Sequence, residues 1–501
     1  MMQPELLMPT WPNYNFACSP FDQKVLYDQE MDLCVVDDCD FSYSFITSPQ
    51  DSSVLSSNSC IPAMILDEYL DLKDSCNEFQ TSSAMDGMEI ISRGDIEGIC
   101  EWINGDGYIQ EDSSSHDLVM EGDDGWSPSL SSDSHALAET DAELTLIHLM
   151  RAYGEAEENG ERELGEVLVG AINGKSSPLG STSERVAYNL FGAKEGRGEE
   201  NLMAAFRVMY QGLPNGRLAH FTANAAILDS IPDDVGMVQI VDFDMGEGIQ
   251  WPPLMEALGR KGKAVRITSL RREEECTSSC WRFEDTKKRL LSQGKQCGVK
   301  LQVEEKSVEE VGVEMLRMKR EGQGRDWVVF NCMVGLPHMG RRRPRASVEG
   351  FLKEGKAMLA GFGGIVVLGD GEARDDPDGC CSYASYFDSM QRHYQGVFES
   401  LERNFPVYLA EARAAMESLF LGPLMCPVAW FRDWEETRKG RDFHNETQLE
   451  GRKLRLDSLV EAKEMVVEGE NSYSVKIEGV REHEMVLRWK ETPLVRVSTW
   501  I

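Results

Sequence analysis

A chain of 501 residues, 41% of them apolar, is long enough to bury a large core. Its formal net charge of −35 leaves no long-range attraction of the whole chain to DNA phosphates. The acidity is local. Residues 1–140 carry 28 Asp and Glu against three Lys and Arg, whereas residues 141–501 carry 58 against 48, the mixed charge of an ordinary globular domain.

In residues 1–140, Ser/Asp/Gly-rich stretches alternate with short apolar islands at 32–38, 61–70 and 96–102. Islands this short and this charged cannot build a core, so disorder is expected. Acidic residues interleaved with aromatic and aliphatic ones have the composition of activation-type interaction segments; a solubilising tail is the alternative. The opening Met1-Met-Gln-Pro-Glu-Leu has neither the basic start nor the apolar stretch of a secretion signal. Thirteen cysteines without such a signal imply reduced thiols in the cytosol or nucleus. Cys276-x3-Cys280 and Cys380-Cys381 lack the paired spacing of a zinc site, so no metal is expected. No apolar run approaches the ~18 residues of a membrane span, so no obligatory membrane contact is expected.

Residues 141–230 read as three or four helices forming a cap. Leu164, Val167, Leu168, Ala171 and Ile172 share one face at helical spacing, and Leu144, Leu146, Ile147, Leu149 and Met150 make a broader apolar surface. After a Gly/Ser/Pro loop at 173–183, Ser183 is expected to cap a helix carrying Val186, Leu190 and Phe191. A further helix at 200–213 has Leu202, Phe206 and Met209 as its stripe.

From residue 231 the pattern changes to a doubly wound α/β core. Val238-Gln-Ile-Val-Asp242 is an apolar run suited to a strand covered on both faces. Gly246 and Gly248 allow a sharp turn, and Pro252 and Pro253 suit the start of the following helix. Further strands are expected at 265–270, 299–303, 327–330 and 364–368, with right-handed crossovers in one parallel sheet. The end differs. An alternating stretch at 473–477 precedes two apolar segments flanking Glu491-Thr492-Pro493, the pattern of an antiparallel hairpin. A mostly parallel sheet closed by such a hairpin is Rossmann-like, in the manner of methyltransferases.

Four segments carry a resemblance to a known family. Val238-Gln-Ile-Val-Asp242, continued by Gln250, Trp251 and Pro252, looks like the "VHIID" motif of the plant GRAS family of transcriptional regulators. Phe221-Thr-Ala-Asn-Ala-Ala-Ile-Leu-Asp229 resembles its "TANQAILEA" helix, and the segment from His393 and Tyr394 to Leu401 its "HYSAVFDSLE" helix. Leu487-Arg-Trp489 and Val497-Ser-Thr-Trp500 are similar to its closing "SAW" motif, with Thr499 where Ala is usual. The Arg-Glu portion of the "PFYRE" region is not recognisable; Glu417-Ser-Leu-Phe-Leu-Gly-Pro423 stands in its place. The resemblance implies a GRAS domain over 141–501 in which Val238, Ile240, Asp242, Gln250, Trp251, Pro252, His393, Tyr394, Trp489 and Trp500 are structural motif residues. It also implies a partner surface that includes Leu144, Ile147, Leu164 and Leu168.

The acidic-glycine form Asp244-Met-Gly-Glu-Gly looks most like a branch of that family acting in root symbiosis. What the branch implies is a nuclear co-activator that pairs with another GRAS protein. DNA would be contacted mainly through the partner, and the transcription machinery through the acidic N-terminus. The genes controlled would be those of nodulation or mycorrhiza, and of strigolactone biosynthesis.

Two rival functions have partial signatures in the sequence. An S-adenosylmethionine-dependent methyltransferase needs a G-x-G-x-G turn after the first strand and an acid at the tip of the second. Half of that is present in Asp242, Asp244, Gly246 and Gly248, but the third glycine position holds Gln250 and the second strand ends Ser269-Leu270-Arg271. No cofactor or catalytic residue is therefore expected. Gly170-Ala-Ile-Asn-Gly-Lys175-Ser176 is one residue short of a P-loop and follows a helix, not a strand. A direct DNA-binding factor would use the loop Arg341, Arg342, Arg343 and Arg345 as a phosphate-contacting or import patch; a solvated loop is the bland alternative.

Overall fold

The computed structural model describes residues 132–192, 202–271, 282–320, 326–375, 382–439 (404 and 406 excepted), 449–467 and 472–501. The acidic islands before residue 131 and the cysteine pairs at 276/280 and 380/381 lie outside the described residues.

Five strands follow one another in parallel: β1 (Met237–Asp242), β2 (Ala264–Leu270), β3 (Leu301–Lys306), β4 (Trp327–Val334) and β5 (Gly363–Asp370). Three more, β6 (Tyr473–Glu478), β7 (Glu484–Trp489) and β8 (Thr492–Trp500), form an antiparallel meander, and β8 runs antiparallel to β5. The sheet order is β3-β2-β1-β4-β5-β8-β7-β6. This is the expected Rossmann-like plan, a parallel sheet closed by a C-terminal hairpin.

The third strand starts two residues later than the apolar run suggested. Gly298 takes a positive φ of 68°, and the Val299 N–H bonds the Gly294 carbonyl at 2.9 Å. Val299 therefore completes a helix C-terminus before the strand begins.

On one face of the sheet, Val328, Phe330 and Cys332 alternate inward along β4 with Val241 and Val366 beside them. They pack against Val311 and Met315 of α8 (Val308–Arg320) and Phe351 and Leu352 of α9 (Arg345–Leu359). Trp500 at the end of β8 joins this cluster. Burying each such side chain stabilises the fold by about 1.5–3 kcal/mol. The intervening helices α6 (Trp251–Arg260) and α7 (Phe283–Gln296) follow β1 and β2.

The N-terminal helices are α1 (Ser132–Asn159), α2 (Arg162–Asn173), α3 (Thr182–Phe191), α4 (Leu202–Gly212) and α5 (Pro214–Ser230). Two expectations are corrected here. Helix α1 begins at Ser132, inside the segment expected to lack structure. Helix α5 is buried around most of its circumference and packs on β4, β5, β7 and β8, so residues 214–230 belong to the sheet layer and not to the cap. A helix apolar or small on all sides is a buried one. The cap proper is α1 to α3, seated on α10 (Tyr383–Glu402). The cap of α3 is Ser181, whose side chain accepts from the Glu184 N–H in a capping box; Ser183 lies inside the helix and donates to Glu143 at 2.7 Å.

Within Val407–Arg438 one 18-residue window has the length and composition of a membrane crossing, with a mean hydropathy of 1.3, and half of that window is buried. No such run was expected. It is broken into α11 (Ala410–Met416), a π turn (Glu417–Leu421), a 3₁₀ turn (Gly422–Leu424) and α12 (Pro427–Lys439). Met416, Leu421, Met425 and Trp430 are wholly buried in the domain, which accounts for the apolarity without a membrane. The last described helix is α13 (Leu456–Met465).

Candidate functional site

The turn after β1 is where a Rossmann-like sheet offers backbone to a ligand. Here the turn is tied to its own surroundings. Asp242 ends β1 buried, and its carboxylate accepts from Trp251 Nε1 at 3.0 Å and Asn331 Nδ2 at 3.1 Å. Asn331 exchanges two hydrogen bonds with Gln250, at 3.0 and 3.1 Å. Asn224 on α5 donates to the Gln250 carbonyl at 2.8 Å. The two motif segments, 221–229 and 238–252, are thus bonded to each other through one closed buried network. Burial pushes the Asp242 carboxyl up to about 7, and the Asp244 charge adds to this; the bonds from Asn331 and Trp251 act the other way.

Gly246 and Gly248 take positive φ values of 54° and 79°. A Cβ on Gly248 would meet the Thr286 methyl at 2.9 Å, so the close approach as well as the turn requires glycine. Thr286 donates to the Gly246 carbonyl at 3.0 Å, and Arg289 reaches both the Glu247 carbonyl and its carboxylate. The space left above the turn is a cavity of about 20 Å³ lined by Phe206, His220, Gln250, His338 and Arg341. That is room for roughly one water molecule. Dinucleotides and S-adenosylmethionine do not fit there, and neither Gln250 nor Arg341 can leave without stranding buried partners.

The arginine loop closes the same region from above. Arg341 and Arg343 both bond the buried Asp244, Arg343 Nε at 2.7 Å. Arg342 bridges Glu372 at 2.8 Å and Asp433 at 2.6 Å and donates to the Leu424 carbonyl. Arg345 pairs with Glu349 and Thr437, each at 2.8 Å. The structure turns these guanidiniums inward onto carboxylates instead of presenting them as a solvated patch. No signal in the sequence announced Asp244, Glu372 and Asp433 as their counter-ions, because these lie far apart in the chain.

The remaining motif residues are placed as fold contacts. His393 Nδ1 donates to the Pro493 carbonyl at 3.0 Å and so ties α10 to the β7–β8 hairpin; burial holds its imidazole below the usual range. Tyr394 donates to Glu372 at 2.5 Å. Trp489 Nε1 donates to Glu399 at 3.1 Å. Val238, Ile240, Pro252 and Trp500 are buried in the core. Glu417, in the region where the motif departs from the family pattern, is a fully buried carboxylate bonded to Arg185 of α3 at 3.1 Å with Arg413 beside it. Burial pushes Glu417 up to about 7 against the pull of those arginines.

The residues expected at a partner surface divide. Leu168 is buried and Ile147 half-buried, whereas Leu144 and Leu164 are 47% and 45% exposed. Val167 on the same helix as Leu164 is 68% exposed. Branched apolar side chains thus face solvent on both helices of the α1–α2 pair.

A Rossmann-like sheet whose ligand turn is filled by its own side chains, capped by a helical pair with solvent-facing leucines, defines a class. The sequence profile of the GRAS domain family matches residues 146–501, and the chain belongs to that family. The crystal structure of SCL7 in Oryza sativa has the same fold, with a TM-score of 0.52 and 21% identity over 71% of this chain and 99% of that one. Among individual proteins, the chain is 28% identical over 348 residues to Protein NODULATION SIGNALING PATHWAY 2 of Lotus japonicus, covering 67% of this chain and 66% of that one. It is 28% identical over 408 residues to the protein of the same name in Medicago truncatula, covering 73% and 78%. It is therefore a GRAS-family regulator similar to the nodulation-signalling pathway 2 proteins, as the Asp244–Gly248 wording implied.

Proposed function

We propose that this chain is a nuclear, non-enzymatic co-activator of transcription that works as a heterodimer with another GRAS protein, one resembling nodulation-signalling pathway 1. The partner supplies most of the DNA contact. Residues 1–140 engage the transcription machinery, and residues 141–501 form the GRAS domain that docks the partner. The genes controlled are those of root symbiosis, nodulation or mycorrhiza, together with strigolactone biosynthesis. The reading rests on its relatives and on one observation above all: Arg341, Arg342 and Arg343 bond Asp244, Glu372 and Asp433 within the domain, so their charge is already neutralised. The closed turn at Gly246–Gly248 supports the absence of catalysis, and the exposed Leu144, Leu164 and Val167 support a docking role for α1 and α2.

The test is fluorescence anisotropy of a labelled promoter fragment with the full chain over a salt series, alone and mixed with the partner. Tight sequence-specific binding by this chain alone sinks the co-activator reading. Binding that appears only in the mixture supports it.

A further inference from the structure

Helix α8 buries one face only. Val311, Met315 and Met318 point inward, and the first two join the core cluster under the sheet. On the opposite face Val313 is 68% and Leu316 58% exposed. Single exposed apolar residues are ordinary, but these two lie one turn apart on a stripe whose charges are ordered.

Along that stripe come Glu309, Val313, Leu316, Arg317 and Arg320, all of them exposed. Steps of four, three, one and three residues keep them on one side of a helix. The stripe therefore runs from acid through apolar to base. The Glu309 carboxylate accepts from the Ser307 hydroxyl at 2.7 Å, and neither Glu309 nor Arg320 makes an ion pair among the described residues.

This order is complementary to itself. Positions 309 and 320 are equally far from the midpoint between 313 and 316. Two copies of α8 laid antiparallel about that midpoint bring Val313 of one protomer onto Leu316 of its partner, and Glu309 of one onto Arg320 of the other. A twofold axis makes each of these contacts twice. A parallel pairing would instead set acid on acid and base on base.

We propose that α8 is the interface of a symmetric homodimer, its two copies antiparallel, with Val313 on Leu316 at the centre and Glu309 on Arg320 at both ends. The contact uses a different helix from α1 and α2, so it leaves their exposed leucines free and stands independently of the function proposed above.

Two short helices make a small interface, and the net charge of −35 opposes any self-contact. The association is therefore weak, and the measurement belongs in about 150 mM salt, where charges more than about 8 Å apart are largely screened. Sedimentation velocity of the full chain from about 1 to about 200 µM is expected to show the average mass rising toward two chains and no further. Leu316→Ser is expected to weaken the dimer at least about tenfold. Glu309→Arg and Arg320→Glu each set like charges against each other at both ends, and each is expected to weaken it about as much. An equimolar mixture of these two variants is expected to recover the wild-type association, because every end of the mixed pair again joins an acid to a base. All three positions are exposed, and unchanged circular dichroism confirms that each variant folds. A wild-type chain that stays monomeric, or one whose mass climbs past two chains, overturns the proposal. So does a Leu316→Ser chain that associates like the wild type, or a mixture no stronger than its components.

Discussion

The turn after β1 and the α1–α2 pair invert the usual arrangement of polar and apolar side chains. At the turn, Asp242, Asn331, Gln250 and Asp244 are polar yet buried, and each is bonded. On the helical pair, Leu144, Leu164 and Val167 are apolar yet face solvent. The first region is therefore a closed internal scaffold, the second an open surface. The difference teaches that motif wording marks the scaffold in this protein, while the surface proposed for a partner is marked by where apolar residues fail to find a core.

The comparison breaks most visibly if the buried ion pairs are dispensable. Arg342→Ala takes the guanidinium from the buried Asp433 and leaves the half-buried Glu372 with the Tyr394 hydroxyl, and is expected to cost about 3–5 kcal/mol, read as a lowered midpoint in urea. Retained stability would mean that the arginine loop is not integral to the scaffold. Trp251→Phe removes the donor to Asp242 and leaves part of the wholly buried indole site unfilled, with an expected loss of about 2–4 kcal/mol. Gly248→Ala places a Cβ against Thr286 at a positive φ and is expected to cost about 1–3 kcal/mol by the same measurement.

A pH series sharpens the same point. The Asp242 carboxyl lies near 7 in the folded chain against 3.8 for its ordinary value. Between those values the folded state holds the proton and the unfolded state does not, so this group's contribution to stability falls as pH rises from about 4 to about 7. Glu247 and Glu417, also near 7, act in the same direction. Buried His220, held near 3, acts oppositely: its contribution is present above about 6.5 and is lost as pH falls toward 3. Asp242→Asn isolates one term. Its deficit relative to the wild type should be largest near pH 4 and narrow by pH 8; a deficit independent of pH would show that Asp242 is not held protonated.

The smallest effect on stability is expected at the open surface. Leu144→Ser and Leu164→Ser should change the urea midpoint by less than about 0.5 kcal/mol equivalent. Together they should weaken partner binding at least about tenfold, read by titration calorimetry. Unchanged partner affinity would move the docking surface elsewhere.

The positions of the parallel strands, the glycine turn and the closing hairpin could be read from local pattern. Apolar runs and 3.6-residue periodicity are properties of a few adjacent residues, and Gly246 and Gly248 report the backbone they permit; the hairpin turn itself falls on Lys490 and Glu491, with Pro493 already inside β8. Even locally, competition between neighbours mattered: Ser181, not Ser183, capped α3, and Val299 closed a helix instead of opening a strand. The candidate site was legible only in part. Asp242 and Gln250 stood out, but Asn331, 81 residues beyond Gln250, did not, nor did Glu417 as the partner of Arg185, 232 residues before it. Periodicity specifies which face of an element is buried; it does not specify which distant carboxylate a buried guanidinium meets. That choice, which made an apparent basic patch into internal ion pairs, was decided only when the crossovers brought β1, β4, α10 and α12 together.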